Sequence, residues 1–293
     1  VASDSETFEL TVSPVNDAPV VSDIPNQSIA EGETFTTISL NEFVEDVETS
    51  DEDIVWEVSG NSELIVTIVD QVATIATPDE NWNGSEDITF TATDTGDGTA
   101  EALSDSDITT LEVRPVNDAP VITAQELLST AEEDSLEITL FDLTVTDVDN
   151  NYPADFTLTV LDGENYTVDS TTIIPALNYT GELTVPVFVD DGEASDSLSN
   201  TFNLTVVITA VNDAPVLTDI GSQQTNEDTS LTITLSSEDV DNAELIYSVA
   251  NDNPQVSVTL DIDQLTMTPA LNYNGTANIT VTVSDGFLTD EET

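Results

Sequence analysis

Phe202-Asn-Leu-Thr-Val206, followed closely by Val211-Asn-Asp-Ala-Pro215, decides how this chain folds. Apolar side chains at every second position give an extended segment one face to bury, which is the period of a half-exposed strand. The pentapeptide then stops it, because Pro215 has no amide hydrogen and a fixed φ and cannot continue a sheet ladder. The same pentapeptide stands at 15–19 and 116–120, so the chain is an array of units about a hundred residues long.

The alternation recurs in Phe8-Glu-Leu-Thr-Val12, Leu136-Glu-Ile-Thr-Leu140, Leu231-Thr-Ile-Thr-Leu235 and Ile279-Thr-Val-Thr-Val283, and no segment holds helical spacing over several turns. This predicts an all-β protein. Short strands separated by Asn, Asp and Gly turns predict a two-sheet sandwich for each unit. The expected division is three repeats at 15–115, 116–210 and 211–293. Residues 1–14 read as the last strand of a preceding or neighbouring-subunit sandwich, and the third repeat reads as lacking its own last strand.

Composition narrows the chemistry further. Sixty Asp and Glu face a single basic side chain, Arg114, with no His and no Cys, for a net charge of −59. Imidazole-dependent nucleophilic catalysis and thiolate or imidazole metal sites are therefore excluded, and phosphates meet no cationic surface. Neither nucleic acid nor anionic lipid is an expected partner. Paired carboxylates are the tools of a glycosidase, but no pair stands apart from the repeated acidic positions, so a non-enzymatic protein is expected. No apolar run is long enough to span a bilayer, and with no signal peptide or initiator Met the sequence reads as a mature or excised piece. Regularly placed Val, Ile, Leu and Thr, within a hydrophobic content of 38%, predict a chain that folds. Its self-repulsion has to be relieved by cations from the medium, either as diffuse salt or as ions bound at sites.

Internal landmarks repeat in a fixed order. An Asn-aromatic-x-Gly turn occurs at Asn81-Trp-Asn-Gly84, Asn178-Tyr-Thr-Gly181 and Asn272-Tyr-Asn-Gly275, and thirteen positions after each first Asn comes an Asp: Asp94, Asp191 and Asp285. Upstream lies an acid-x-acid pair, Asp46 with Glu48, Asp147 with Asp149, and Asp239 with Asp241. Earlier still comes Glu31, then Glu132 with Glu133, then Glu227. The turn aromatics read as core or corner plugs. Seven Asn-x-Ser/Thr sequons, at Asn26, Asn83, Asn165, Asn178, Asn203, Asn274 and Asn278, are candidate glycosylation sites.

With Asn-Asp-Ala-Pro at the boundaries, Asp239-Val-Asp241-Asn-Ala-Glu-Leu-Ile-Tyr-Ser-Val249 and Ser284-Asp-Gly286, nearly the whole chain resembles the cadherin-like tandem repeats of large prokaryotic surface proteins and adhesins. The resemblance implies immunoglobulin-like, cadherin-like sandwiches in an elongated array, with calcium held between successive sandwiches. It implies ligands Asn16, Asp17, Asp46, Glu48 and Asp94 at the first junction. At the second it implies Glu31, Asn117, Asp118, Asp147, Asp149 and Asp191. At the third it implies Glu132 or Glu133, with Asn212, Asp213, Asp239, Asp241 and Asp285, while Glu227 would face a further junction. The family's Asp-Arg-Glu motif is replaced by Pro175-Ala-Leu177 and Pro269-Ala-Leu271, with Asp79-Glu80 the only carboxylates there in the first repeat, which implies one or two ions per junction. Independently of the resemblance, calcium takes six to eight oxygen ligands, and Asp, Glu, Asn and backbone carbonyls supply them without nitrogen or sulfur.

The expected function is that of an extracellular, cell-surface structural protein. It would serve as a calcium-stiffened adhesin stalk within a longer array, or as the subunit of a head-to-tail filament in which Phe8–Val12 of a neighbouring copy completes the third sandwich. With the tail joined to the head, Phe8 lies sixteen positions after Asp285, the spacing of Asp94 to Thr110. A glycan- or cell-binding module with its site in the loops is the alternative.

Overall fold

A computed structural model describes residues 1, 3–13, 15–96 and 101–293; residues 2, 14 and 97–100 of the expected ranges lie outside the described residues. The chain forms two compact units, residues 1–119 with 147–150 and 193–197, and residues 120–146 with 151–192 and 198–293. Each unit is built almost wholly from strands.

In the first unit a four-stranded sheet runs in the order Gln27–Ala30, Ser104–Arg114, Gly84–Thr93, Val55–Ser59. It faces a three-stranded sheet of Ile38–Ser39, Val72–Ala76 and Ile65–Val69. Inward positions alternate as the pattern requires: Glu86, Ile88, Phe90 and Ala92 on one long strand, and Thr109, Leu111 and Val113 on its partner, are buried. Fifteen buried apolar residues, from Ile24 to Val113, make one core. The second unit repeats the plan over 121–209, with the sheet order Leu128–Ala131, Phe202–Thr209, Gly181–Asp190, Thr157–Val160 and a core of the same size. In both cases the outermost strand joins the last long strand in parallel, Gln27 against Leu111 and Leu128 against Val206.

The third sandwich, also in the second unit, departs from this plan. Its sheets are Ile246–Asn251, Ile279–Ser284, Thr289–Glu292 and Leu231–Thr234, Gln264–Pro269, Val256–Asp261. Six apolar residues are buried in its core among the described residues, so it gains less from removing surface from water than the fifteen-residue cores do.

The Asn-aromatic-x-Gly turns act as corner plugs. Trp82 and Tyr179 pack against the two full cores, and the Tyr179 hydroxyl donates to the Glu182 carbonyl at 2.9 Å. A Cβ at Gly275 would press on the Tyr273 hydroxyl, so a larger residue there requires that ring to shift.

Phe8–Val12 is exposed and belongs to no strand among the described residues of this chain, as an isolated extended segment has no ladder to hold it. The equal spacing from Asp285 to Phe8 and from Asp94 to Thr110 does not give equal register. The strand after Asp285 begins at Thr289, whereas the one after Asp94 begins at Ser104, so the intervening turn is shorter. Leu136-Glu-Ile-Thr-Leu140 is a strand only over Leu136–Glu137 before a 3-10 turn at Leu140–Asp142, although Ile138 is buried as the alternation requires.

Leu111→Ala and Leu204→Ala, each removing a side chain with no exposed surface, are expected to destabilise their sandwiches by about 2–5 kcal/mol. Ile233→Ala, in the less closed third core, should cost less. Urea unfolding of the three variants against the parent checks the order.

Candidate metal centres at the linkers

Each Asn-Asp linker is held by the acidic residues that the repeat places beside it. The acid-x-acid pair folds into a tight turn in which one carboxylate oxygen accepts two amides: Asp46 Oδ1 from Glu48 (2.9 Å) and Thr49 (2.5 Å), Asp147 Oδ1 from Asp149 (2.9 Å) and Asn150 (2.7 Å), and Asp239 Oδ1 from Asp241 (2.8 Å) and Asn242 (2.7 Å). Short polar side chains favour such turns because they satisfy the backbone two or three residues on. The second acid of the pair then takes the linker amide. Asp17 donates to Glu48 Oε2 (3.2 Å), Asp118 to Asp149 Oδ2 (2.8 Å) and Asp213 to Asp241 Oδ2 (2.8 Å).

The linker Asn reaches the other way. Asn16 donates to Asp94 Oδ2 at 2.9 Å and Asn212 to Asp285 Oδ2 at 2.6 Å, while Asn117 donates to the Ser195 and Asp196 carbonyls at 3.0 and 3.3 Å. Asp94 also accepts Gly96 and Leu103 amides and is buried. Burial would raise its pKa, but the bonds from Leu103, Asn16 and Gly96 outweigh this and hold it below the ordinary aspartate value. Asp285 is lowered chiefly by the Asn212 bond, against desolvation and with help from the Phe287 and Leu288 amides. Asp191 lies in the second unit and is buried, whereas the other five residues expected with it lie in the first.

The early Glu secures the chain just before the linker. Glu31 Oε2 accepts Val116 N at 3.1 Å, and Glu132 Oε1 accepts Val211 N at 2.8 Å. Glu132 is buried, whereas Glu133 sits exposed at a positive φ of 68°. Glu227 is exposed.

These bonds account for only half of each key carboxylate. Asp46 Oδ2, Asp147 Oδ2 and Asp239 Oδ2 are shut off from solvent with no hydrogen-bond partner among the described residues, as are Glu31 Oε1, Asn16 Oδ1 and Asn150 Oδ1. A buried carboxylate oxygen without a donor costs free energy, and its recurrence at one station in all three repeats points to a common missing partner. With a single basic side chain in the sequence, that partner is not an ion pair from the chain itself. The donors are all oxygens, which suits a hard divalent cation. Among the described residues no three acidic side chains alone form a metal-holding group, so such a site has to draw on Asn side chains and carbonyls as well.

Family comparison agrees with this organisation. The bacterial Ig domain model matches residues 16–105 and 212–293, and each match begins at a linker Asn. The chain belongs to the bacterial Ig domain family. Mouse cadherin-23 EC22-24 is similar in structure, with 20% identity, 94% of this chain and 97% of that one covered, and a TM-score of 0.59. Mouse protocadherin-24 EC1-3 is similar at 14% identity, with 99% and 97% covered and a TM-score of 0.50. At these identities the likeness is one of fold, so the bacterial Ig repeats here have the cadherin-like sandwich architecture. Comparison with curated proteins gives no match. No helix among the described residues is long and apolar enough to cross a membrane.

Asn150 and Asn242 escaped the sequence reading. Asn242 donates to Asn212 Oδ1 at 2.8 Å and so ties the turn to the linker. The signal was present, since Asp-Val-Asp-Asn occurs at both 147–150 and 239–242.

Because the folded pKa values of Asp94 and Asp285 lie below those of an unfolded aspartate, about 3.9, the stability they contribute is fully present above that value. It is lost as pH falls through their lower folded values. Asp94→Asn and Asp285→Asn are therefore expected to melt below the parent at neutral pH and to converge with it in acid, as read by melting curves between neutral pH and pH 2.

Proposed function

We propose that this is a non-enzymatic extracellular structural protein whose linkers bind calcium, serving as the stalk of a surface adhesin or as the subunit of an extracellular fibre. The observation that carries the reading is the orphaned, buried carboxylate oxygen at Asp46, Asp147 and Asp239, each next to an Asn-Asp linker. In the first unit Glu31, Asn117, Asp118, Asp147, Asp149 and Asn150 would hold an ion. A second set there, Asn16, Asp17, Asp46, Glu48 and Asp94, lies at the amino-terminal linker. In the second unit the set is Glu132, Asn212, Asp213, Asp239, Asp241 and Asp285, and Asp191 stands outside these groups.

Bound calcium would supply concentrated positive charge at carboxylates that otherwise repel one another. The residues themselves do the positioning: one oxygen of Asp147 and of Asp239 fixes the turn, which leaves the other buried, while Asp149 and Asp241 hold the linker amides. Sites of this kind in extracellular modules bind with dissociation constants of about 10⁻⁴–10⁻³ M, so they fill in a calcium-bearing medium. A filled site makes the linker rigid and removes the repulsion that would let it flex. The match to the bacterial Ig domain family supports the non-enzymatic reading.

Asp147→Asn and Asp239→Asn each remove one ligand charge while keeping the shape. Each is expected to weaken calcium binding at one linker by about tenfold or more, read by calorimetric titration, while melting in chelator stays at or above that of the parent. Variants that bind calcium like the parent would assign the oxygens to another role.

A further inference from the structure

The sequence Asp-Val-Asp-Asn stands at both 147–150 and 239–242, beside the Asn117-Asp118 and Asn212-Asp213 linkers. Its two acids do the same work at both. Asp147 and Asp239 accept the amides that close the turn, and Asp149 and Asp241 accept the linker amide. The fourth residue behaves differently at the two places. Asn150 Oδ1 is shut off from solvent with no donor among the described residues, whereas Asn242 donates its side-chain amide to Asn212 Oδ1 at 2.8 Å.

Asn212 is thereby held at both ends of its carboxamide. Its nitrogen donates to Asp285 Oδ2 at 2.6 Å and to the Asp213 carbonyl at 3.0 Å, and its oxygen accepts from Asn242. The amino-terminal linker has the same plan without that last bond. Asn16 donates to Asp94 Oδ2 at 2.9 Å, but the fourth residue of its turn, Asp46-Val-Glu-Thr49, carries no side-chain amide. There Asn16 Oδ1 is buried with no donor among the described residues. The oxygen of a linker Asn is thus open where the turn offers no amide and taken where Asn242 offers one.

An N–H donor and a hard cation compete for the same carbonyl lone pairs, and the partial positive charge of the amide opposes a cation beside it. The linkers therefore differ in what they offer. At Asn117-Asp118 the oxygens Glu31 Oε1, Asp147 Oδ2 and Asn150 Oδ1 are all buried without a donor among the described residues; at Asn212-Asp213 only Asp239 Oδ2 is.

We infer that Asn242 is a latch on the Asn212-Asp213 linker: without calcium its amide holds Asn212 Oδ1, and calcium takes that oxygen only once the amide has let go. Asn150, at the same place in its turn, is instead an oxygen ligand. The inference rests on the reading of the linkers as calcium sites and assigns their order of filling. Affinity at a latched site is reduced by the fraction of molecules in which the latch is shut. The Asn117-Asp118 linker therefore fills first and the Asn212-Asp213 linker at higher calcium, so the linkers become rigid one after another as calcium rises. The same substitution at the two Asn residues has opposite effects, because at Asn150 it removes a ligand and at Asn242 it removes a competitor.

The test is a calcium titration of the full chain, labelled with isotopes in aspartate and asparagine and followed by nuclear magnetic resonance. The backbone amides of Asp118 and Asp213 report the two linkers separately, since each donates to the turn beside it. In the parent, Asp118 is expected to reach its midpoint at lower calcium than Asp213. Asn242→Ala should lower the Asp213 midpoint by about fivefold, the factor that one net hydrogen bond is worth, and leave Asp118 unchanged. Asn150→Ala should raise the Asp118 midpoint by a similar factor. A further readout needs no variant: the Asn242 side-chain amide should be protected from hydrogen exchange in chelator and lose that protection as the Asp213 signal moves. An Asp213 midpoint that Asn242→Ala leaves unchanged or raises would overturn the latch and leave the calcium sites standing. An unprotected Asn242 amide in chelator, or filling in the reverse order, would overturn it as well. If neither backbone amide responds to calcium in the parent or the variants, the calcium reading fails and the latch fails with it.

Discussion

The linker amide of Asp17, Asp118 or Asp213 donates to the second acid of a tight turn, and the first acid of that turn spends one oxygen on its own backbone. The rest of the linker chemistry follows from this arrangement. It ties the Asn-Asp segment to the acid pair, and the remaining oxygen of the first acid is buried without a hydrogen-bond partner among the described residues. In a sequence with a net charge of −59, a single basic side chain is available to pair with such oxygens.

The sandwiches obey a separate constraint, that every buried backbone edge needs a partner. In the first two sandwiches the last long strand meets this need twice, by pairing antiparallel with one neighbour and parallel with another, and it carries Leu111 and Val113 or Leu204, Val206 and Ile208 into the core. In the third sandwich the corresponding pairing of Ile279–Ser284 runs over Thr289–Glu292. In the first two sandwiches that strand therefore closes two edges and supplies apolar volume at once.

Much of this was legible in the sequence. Period-two alternation marked Ile279–Ser284, Leu231–Thr234 and Phe202–Thr209, and the Val-Asn-Asp-Ala-Pro pentapeptides marked the linkers, because both depend on local rules. Phe8–Val12 has the same local pattern yet forms no strand, since strand formation depends on an edge that local sequence does not specify. Register was also hidden: the turn after Asp285 is shorter than the loop after Asp94, and a count along the chain does not show which residues a shorter turn removes from the ladder. The acid-x-acid pairs were recognisable by recurrence. That one oxygen of each lies buried and unsatisfied became visible only when the turn was seen to consume the other.

Diffuse salt and site-bound calcium both relieve repulsion, but they differ under screening. At about 1 M ionic strength the Debye length shrinks to about 3 Å, so the surface contribution is already suppressed while a buried oxygen still lacks its ligand. The most direct measurement is therefore the melting temperature of the full chain in 1 M sodium chloride, with and without millimolar calcium. A clear rise with calcium that magnesium fails to reproduce is expected if the linkers are built sites. Identical melting with and without calcium would mean that the acidic stations are solvated surface, and the calcium account of the linkers would be wrong.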